Sequence, residues 1–220
     1  MSEFRLRITF CLQGRLVMLS HLELARTVER IVRRADIPYA ITNGFSPHMK
    51  LSFGAALPVG VGGIHEIFDV WLTDYVKPAD VLEKLQAASP HDCLICDATY
   101  ISAKEVAASD AYLFSKYHIQ LSKPFDVVLP TEIVVVRKKK ERKLLVSEFV
   151  HGVKLDGCLL EIVLEAKKSG SLRIDVLLQA IFEESDVVHT YEQADGVIED
   201  IVYPTSIMRV AQAKSLHELY

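Results

Sequence analysis

The chain has 220 residues, half of them hydrophobic and a quarter charged, with 10 Gly, 8 Pro and a formal net charge of −4. That composition excludes disorder, collagen-like repeats and a disulfide-built miniprotein. At ~100–150 residues per domain it allows one large domain or two small ones, and no stretch approaches the ~20 uncharged apolar residues that span a bilayer.

Phe4–Leu12 alternates apolar and polar side chains with a period of two, which predicts a half-buried strand rather than an export signal. Gly14 turns the chain. Ser20-His21-Leu22-Glu23 has capping-box spacing, so a helix is predicted to begin there. On a helical wheel Leu24, Val28, Ile31, Val32 and Ala35 share one side, and Arg26, Arg30, Arg33 and Arg34 share the other. Pro38 disfavours helical dihedrals at Ile37, so the helix should stop near Asp36. Turn formers crowd residues 39–63 and leave room for one short strand near Lys50–Phe53. A strand over 64–72, a helix over 78–88 and a strand over 92–102 follow. The order β-α-β-β-α-β is that of a ferredoxin-like sheet carrying both helices on one face.

Residues 103–110 are small and polar without apolar periodicity, which suggests a boundary: a ferredoxin-like α+β domain over 1–105 and a second, strand-rich α+β domain over 106–220. In the latter, strands are expected over 111–121 and 132–136, a hairpin of 144–153 with 158–164, a helix over 172–184, and a strand over 198–210 interrupted by Pro204. Positive charge is concentrated in two places. Residues 1–60 sum to +4 and the run Arg137-Lys138-Lys139-Lys140-Glu141-Arg142-Lys143 to +5, leaving −13 for the rest. Such patches suit phosphate binding, because neutralised phosphates release counterions, and equally suit a solvated hairpin tip that guards a sheet edge.

The residues able to carry chemistry cluster at Ser20–Glu23, Asn43–Phe53 and Gly60–Glu66. A helix N-terminus at Ser20 is an anion site in principle. Phe45 and Phe53 are able to stack a base and Lys50 to meet a phosphate. His21 falls on the apolar side of the wheel, where a half-buried, hydrogen-bonded histidine competes with a catalytic one. His48 sits in a Gly/Pro-flanked loop suited to acid–base or phosphate contact. His65-Glu66 lacks metal-ligand spacing, and no metal site is expected. Cys93 and Cys96, three apart in a strand, point to opposite faces, while Cys11 and Cys158 read as small buried apolar residues. No Walker loop, Gly-x-Gly-x-x-Gly or three-cysteine cluster site is present, so no cofactor is expected. Four cysteines in a chain without an export signal are expected as reduced cytoplasmic thiols.

At Ser20-His21-Leu22-Glu23-Leu24-Ala25-Arg26, Arg33-Arg34-Ala35, Pro38, Gly44-Phe45-Ser46-Pro47-His48-Met49-Lys50 and Leu57-Pro58-Val59-Gly60, the sequence resembles the radical-SAM-linked protein family. That bacterial domain of unknown function is fused to, or encoded beside, radical SAM enzymes. The resemblance covers the first ~75 residues, with Glu23 where Asp is expected and Met49 where Pro is expected. It implies association with a radical SAM enzyme encoded elsewhere, since this chain lacks the cluster-binding cysteines. Three functions then fit. The first is an accessory protein that binds RNA or an RNA-modifying partner through Arg26, Arg30, Arg33, Arg34, Phe45, His48 and Lys50. The second is an RNA-processing or RNA-modifying enzyme using His21 and His48 as acid and base. The third is a protein-interaction module docking through Phe45, Met49 and Phe53.

Overall fold

A computed structural model of the protein describes residues 4–137, 140–167, 170–185, 187–193 and 196–220. Glu3, Lys138 and Lys139, counted in the charge pattern above, lie outside them. The chain is α+β and divides into two units, Met1–Tyr112 with Arg209–Tyr220, and Leu113–Met208.

The first unit follows the order β1 (Phe4–Leu12), α1 (His21–Arg34), β2 (Leu51–Phe53), β3 (Gly62–Leu72), α2 (Pro78–Ala88), β4 (Cys93–Ile101) and a short α3 (Ala108–Ala111). Its strands lie in the order β4-β1-β3-β2, all antiparallel, which is the ferredoxin-like arrangement. Period two on β1 sends Leu6, Ile8, Phe10 and Leu12 inward, where they meet Leu24, Val28, Ile31 and Val32 of α1 and Val81 and Leu85 of α2. Each such buried aliphatic or aromatic side chain contributes about 1.5–3 kcal/mol relative to exposure. α1 opens on the predicted capping box: the Ser20 N–H donates to Glu23 Oε2 at 2.9 Å and the Glu23 N–H to Ser20 Oγ at 3.4 Å. It closes where Asp36 takes a left-handed φ of 49°, a conformation Asp tolerates better than most residues.

Between Thr9 and Phe10 of β1 the register against β4 slips, because Thr9 faces Asp97 whereas Phe10 faces Ile95. This bulge leaves both Cys96 and Asp97 exposed, between buried Ile95 and Ala98.

The second unit contains β5 (Phe114–Leu121), β6 (Glu132–Arg137), β7 (Lys140–Leu145), β8 (Val150–Asp156), β9 (Leu159–Lys167), β10 (Gly170–Ser171), α4 (Ile174–Glu184), β11 (Val188–Gln193) and β12 (Gly196–Ile201). Strand β13 (Pro204–Ala213) begins here, and from Arg209 on it belongs to the first unit. β5 and β8 flank β9 antiparallel, and α4 buries the expected Ile174, Leu177, Leu178 and Ile181.

Three expectations are corrected. Leu144 and Leu145 pair with β6, not β9; a 3-10 turn at Val146–Glu148 separates the two hairpins. The β8–β9 turn is Gly157-Cys158, with Gly157 at φ 57° supplying the left-handed position a two-residue turn needs. The strand expected from Ala111 starts at Phe114, because Ala108–Ala111 is a helical turn. Pro204 breaks the last predicted strand as its missing N–H requires, into β12 and β13.

Candidate functional site

On α1 the four predicted arginines all face solvent: Arg26, Arg30, Arg33 and Arg34 are exposed while Leu24, Val28, Ile31 and Val32 are buried. Arg33 makes a long ion pair with Glu29 at 3.8 Å, an exposed i,i+4 contact worth ~0.3–0.5 kcal/mol. Arg34 lines a cavity of about 440 Å³ with Ala35, Lys84, Ala87 and Ala88, so α2 adds a cation to the same basic surface. The helix N-terminus is not open to an external anion in the way the sequence suggests. Glu23 already accepts the Ser20 N–H and hydroxyl, at 2.9 and 2.7 Å. The Ser20 hydroxyl and then its backbone N–H hold the Glu23 carboxyl below the ordinary range.

The loop between α1 and β2 is a finger pinned at its base. Lys50 N–H donates to Ala40 O at 2.9 Å, Thr42 N–H to His48 O at 2.8 Å, and Ile41 bridges Met49. Gly44, at φ 145°, makes the tip, where a Cβ would be strained although nothing crowds it. Phe45, next to it, is fully exposed. His48 is exposed with Nδ1 at 3.2 Å from Thr42 Oγ1 and 3.1 Å from Ser46 O, which fixes its ring against the finger. The Lys50 ammonium lies over the Trp71 ring, 5.1 Å from its centroid.

His21 is exposed, contrary to its place on the wheel, because it is the first residue of α1; its ring and that of Phe53 meet edge to face with centroids 5.4 Å apart. His21 thus contacts the end of β2 whereas His48 contacts Thr42 and Ser46 on the finger, and no hydrogen-bond partner is common to them among the described residues. Two of the three residues proposed for apolar docking are otherwise engaged. Met49 is buried in the core and Phe53 packs on Phe68 at 6.0 Å.

Two arginines the sequence reading counted but did not assign, Arg5 and Arg7, lie side by side on β1 and converge on Asp69 of β3. Arg5 donates from Nε and Nη2 to Asp69 Oδ2 at 3.1 and 2.6 Å, and Arg7 from Nε to Oδ1 at 2.8 Å. Asp69 is 0 % exposed and Arg5 5 %. The hydrogen bond that Arg7 donates to the Asp69 carboxylate raises the Arg7 pKa above its ordinary value. Arg5 also stands over Trp71 at 4.9 Å and Arg7 over Tyr112 at 5.7 Å. Their period-two spacing signals a shared face; their partner, more than sixty residues on, sends no local signal. Glu66, weighed as a metal ligand beside His65, is buried and accepts from Arg209 Nε at 2.9 Å. Among the described residues no group of three or more His, Cys, Asp or Glu is arranged to hold a metal, and no helix is long and apolar enough to cross a membrane.

A family model described as "uncharacterized protein conserved in bacteria (DUF2344)" matches residues 5–174 of the chain. No curated protein matches it. Two solved structures similar to it are "Crystal Structure of a Cbf5-Nop10-Gar1 Complex" and "Crystal structure of the archaeal box H/ACA sRNP Nop10-Cbf5 complex". Each aligns over 94% of this chain and 48% of its own, at 12% identity, with TM-scores of 0.43 and 0.40. The chain spans about half the length of those structures, and a likeness this distant carries nothing about ligands or activity.

Proposed function

We propose that this chain, which belongs to the uncharacterized bacterial family DUF2344, is an accessory protein that binds RNA through the outer face of α1 and the finger bearing Phe45. The observation that carries this reading is the row of solvent-facing arginines. Arg26, Arg30, Arg33 and Arg34 recur at helical spacing, and the ion pair that Arg33 makes with Glu29 is long and exposed. Guanidinium groups held this way are available to phosphates, and releasing the phosphates' counterions favours binding. Phe45 adds a ring with nothing packed over it, on which a splayed base gains ~1–3 kcal/mol of stacking. His48 and Lys50, at the base of the finger, complete the surface; Lys50 remains drawn toward Trp71.

The resemblance of the Ser20–Arg26 and Gly44–Lys50 motifs to radical-SAM-linked proteins supports a radical SAM enzyme as the partner this protein serves. The enzyme reading, with His21 and His48 as acid and base, needs both within hydrogen-bond reach of one reacting group; their separate contacts favour the binding reading instead.

The test is RNA retention by purified protein across a salt series. The Arg30→Glu/Arg33→Glu variant is expected to bind at least about tenfold more weakly and to lose on the order of one to two units of salt slope. Retention that is salt-insensitive, or unchanged in the variant, overturns the proposal.

A further inference from the structure

Cys11 on β1 and Cys96 on β4 are 85 residues apart in sequence, yet their sulfurs stand 3.4 Å from each other. Strand alternation places them on one face, and Cys96 is the residue that the bulge in β4 leaves without a ladder partner. Cys11 faces Leu94 across the ladder, and Cys96, two residues beyond Leu94, shares that outer face, beside Cys11 and away from the buried Cys93 and Ile95. Cys11 is thus half-buried against another thiol, not the isolated apolar residue its sequence context suggests. Its Sγ lies 3.0 Å from the Ile64 carbonyl oxygen and donates to it. Burial, then the neighbouring Cys96, pushes the Cys11 thiol up to about 11.

We propose that Cys11 and Cys96 form an oxidisable dithiol, a modification site for peroxide that closes to a disulfide across β1 and β4. The exposed Cys96 reacts first. Its thiolate attacks one peroxide oxygen, the O–O bond breaks, and hydroxide leaves, giving Cys96 sulfenic acid. The Cys11 sulfur then attacks the sulfenic sulfur, and hydroxide departs with the Cys11 proton as water. Two thiols lose two electrons in all, and one peroxide becomes two waters. Reaching an S–S bond of ~2.05 Å asks the sulfurs to close about 1.4 Å, within reach of side-chain rotation. Cys93 stays out of the reaction: it is fully buried, and burial pushes its thiol up to about 12.

The experiment treats the reduced full-length chain with hydrogen peroxide and counts free thiols after denaturation. The four free thiols are expected to fall to two, with loss of two hydrogens in mass, a proteolytic fragment joining Cys11 to Cys96, and full reversal by dithiothreitol. The melting temperature should rise on the order of 5 °C, since the link closes a long loop. Cys11→Ser should instead retain a dimedone-reactive sulfenic acid at Cys96, and Cys96→Ser should form no link. The two serine variants should melt within a few degrees of the reduced parent, so a missing link reports chemistry and not unfolding. Retention of all four thiols, a link through Cys93 or Cys158, or sulfinic acid at Cys96 in the parent chain without a link overturns the proposal.

Discussion

The first unit uses arginine in two opposite ways. On β1, Arg5 and Arg7 converge on the buried Asp69, their charges are answered inside the protein, and their planes cover Trp71 and Tyr112. On α1, Arg26, Arg30, Arg33 and Arg34 stand in water along a helix whose other side is core. The difference is one of solvation. A buried guanidinium must be compensated on the spot, whereas an exposed one keeps its charge for whatever approaches. Local positive charge therefore says little about binding until the location of the neutralising carboxylate is known.

The comparison is broken most severely at Asp69. Asp69→Asn leaves Arg5 buried without a counter-charge and should cost about 3–5 kcal/mol, read as a fall in the denaturant midpoint. The Arg30→Glu/Arg33→Glu variant should reverse that outcome, with stability within about 0.5 kcal/mol of the parent while RNA binding collapses, because the substituted groups carry no packing. An intermediate effect belongs to the α1 cap. Ser20→Ala should cost about 1 kcal/mol in thermal or chemical melts. The Glu23 carboxyl lies below its ordinary value, so its contribution is present above the unfolded pKa of ~4.3 and disappears as pH falls through the lower folded value. The melting difference between parent and Glu23→Gln should accordingly narrow only in that acid window. Phe45→Ala should change stability least. Its loss of RNA affinity, about 1–3 kcal/mol, should leave the salt slope of binding untouched, which separates stacking from the phosphate contacts of α1.

What the residues disclosed in advance was short-range. The period-two pattern of Phe4–Leu12, the Ser20/Glu23 cap, the arginine stripe and Pro78 at the start of α2 each act within a few residues, and together they led to the antiparallel β4-β1-β3-β2 sheet. The contacts that needed the fold join distant positions: Arg5 with Asp69, Glu66 with Arg209, Cys11 with Cys96. Register decides such contacts, and a one-residue bulge is enough to redirect a side chain. His21 shows a further limit. A wheel assigns a face to every helical residue alike, but the first turn at Ser20–Glu23 extends past the core, and His21 is exposed there. In the second half, apolar runs in adjacent strands gave little indication of where one hairpin ended and the next began, hence the altered pairing of Leu144.

Arg209 sits 2 % exposed within the first unit, where it neutralises Glu66 and donates to the Ala55 carbonyl at 2.6 Å, while Gln212 reaches the His65 carbonyl at 2.7 Å. During synthesis on the ribosome, the amino-terminal half must therefore wait for residues translated nearly a hundred codons later before its carboxylate finds a counter-charge. A fragment cut at Tyr112 would carry that deficit permanently, so the two units are separable as descriptions more readily than as independent folding products.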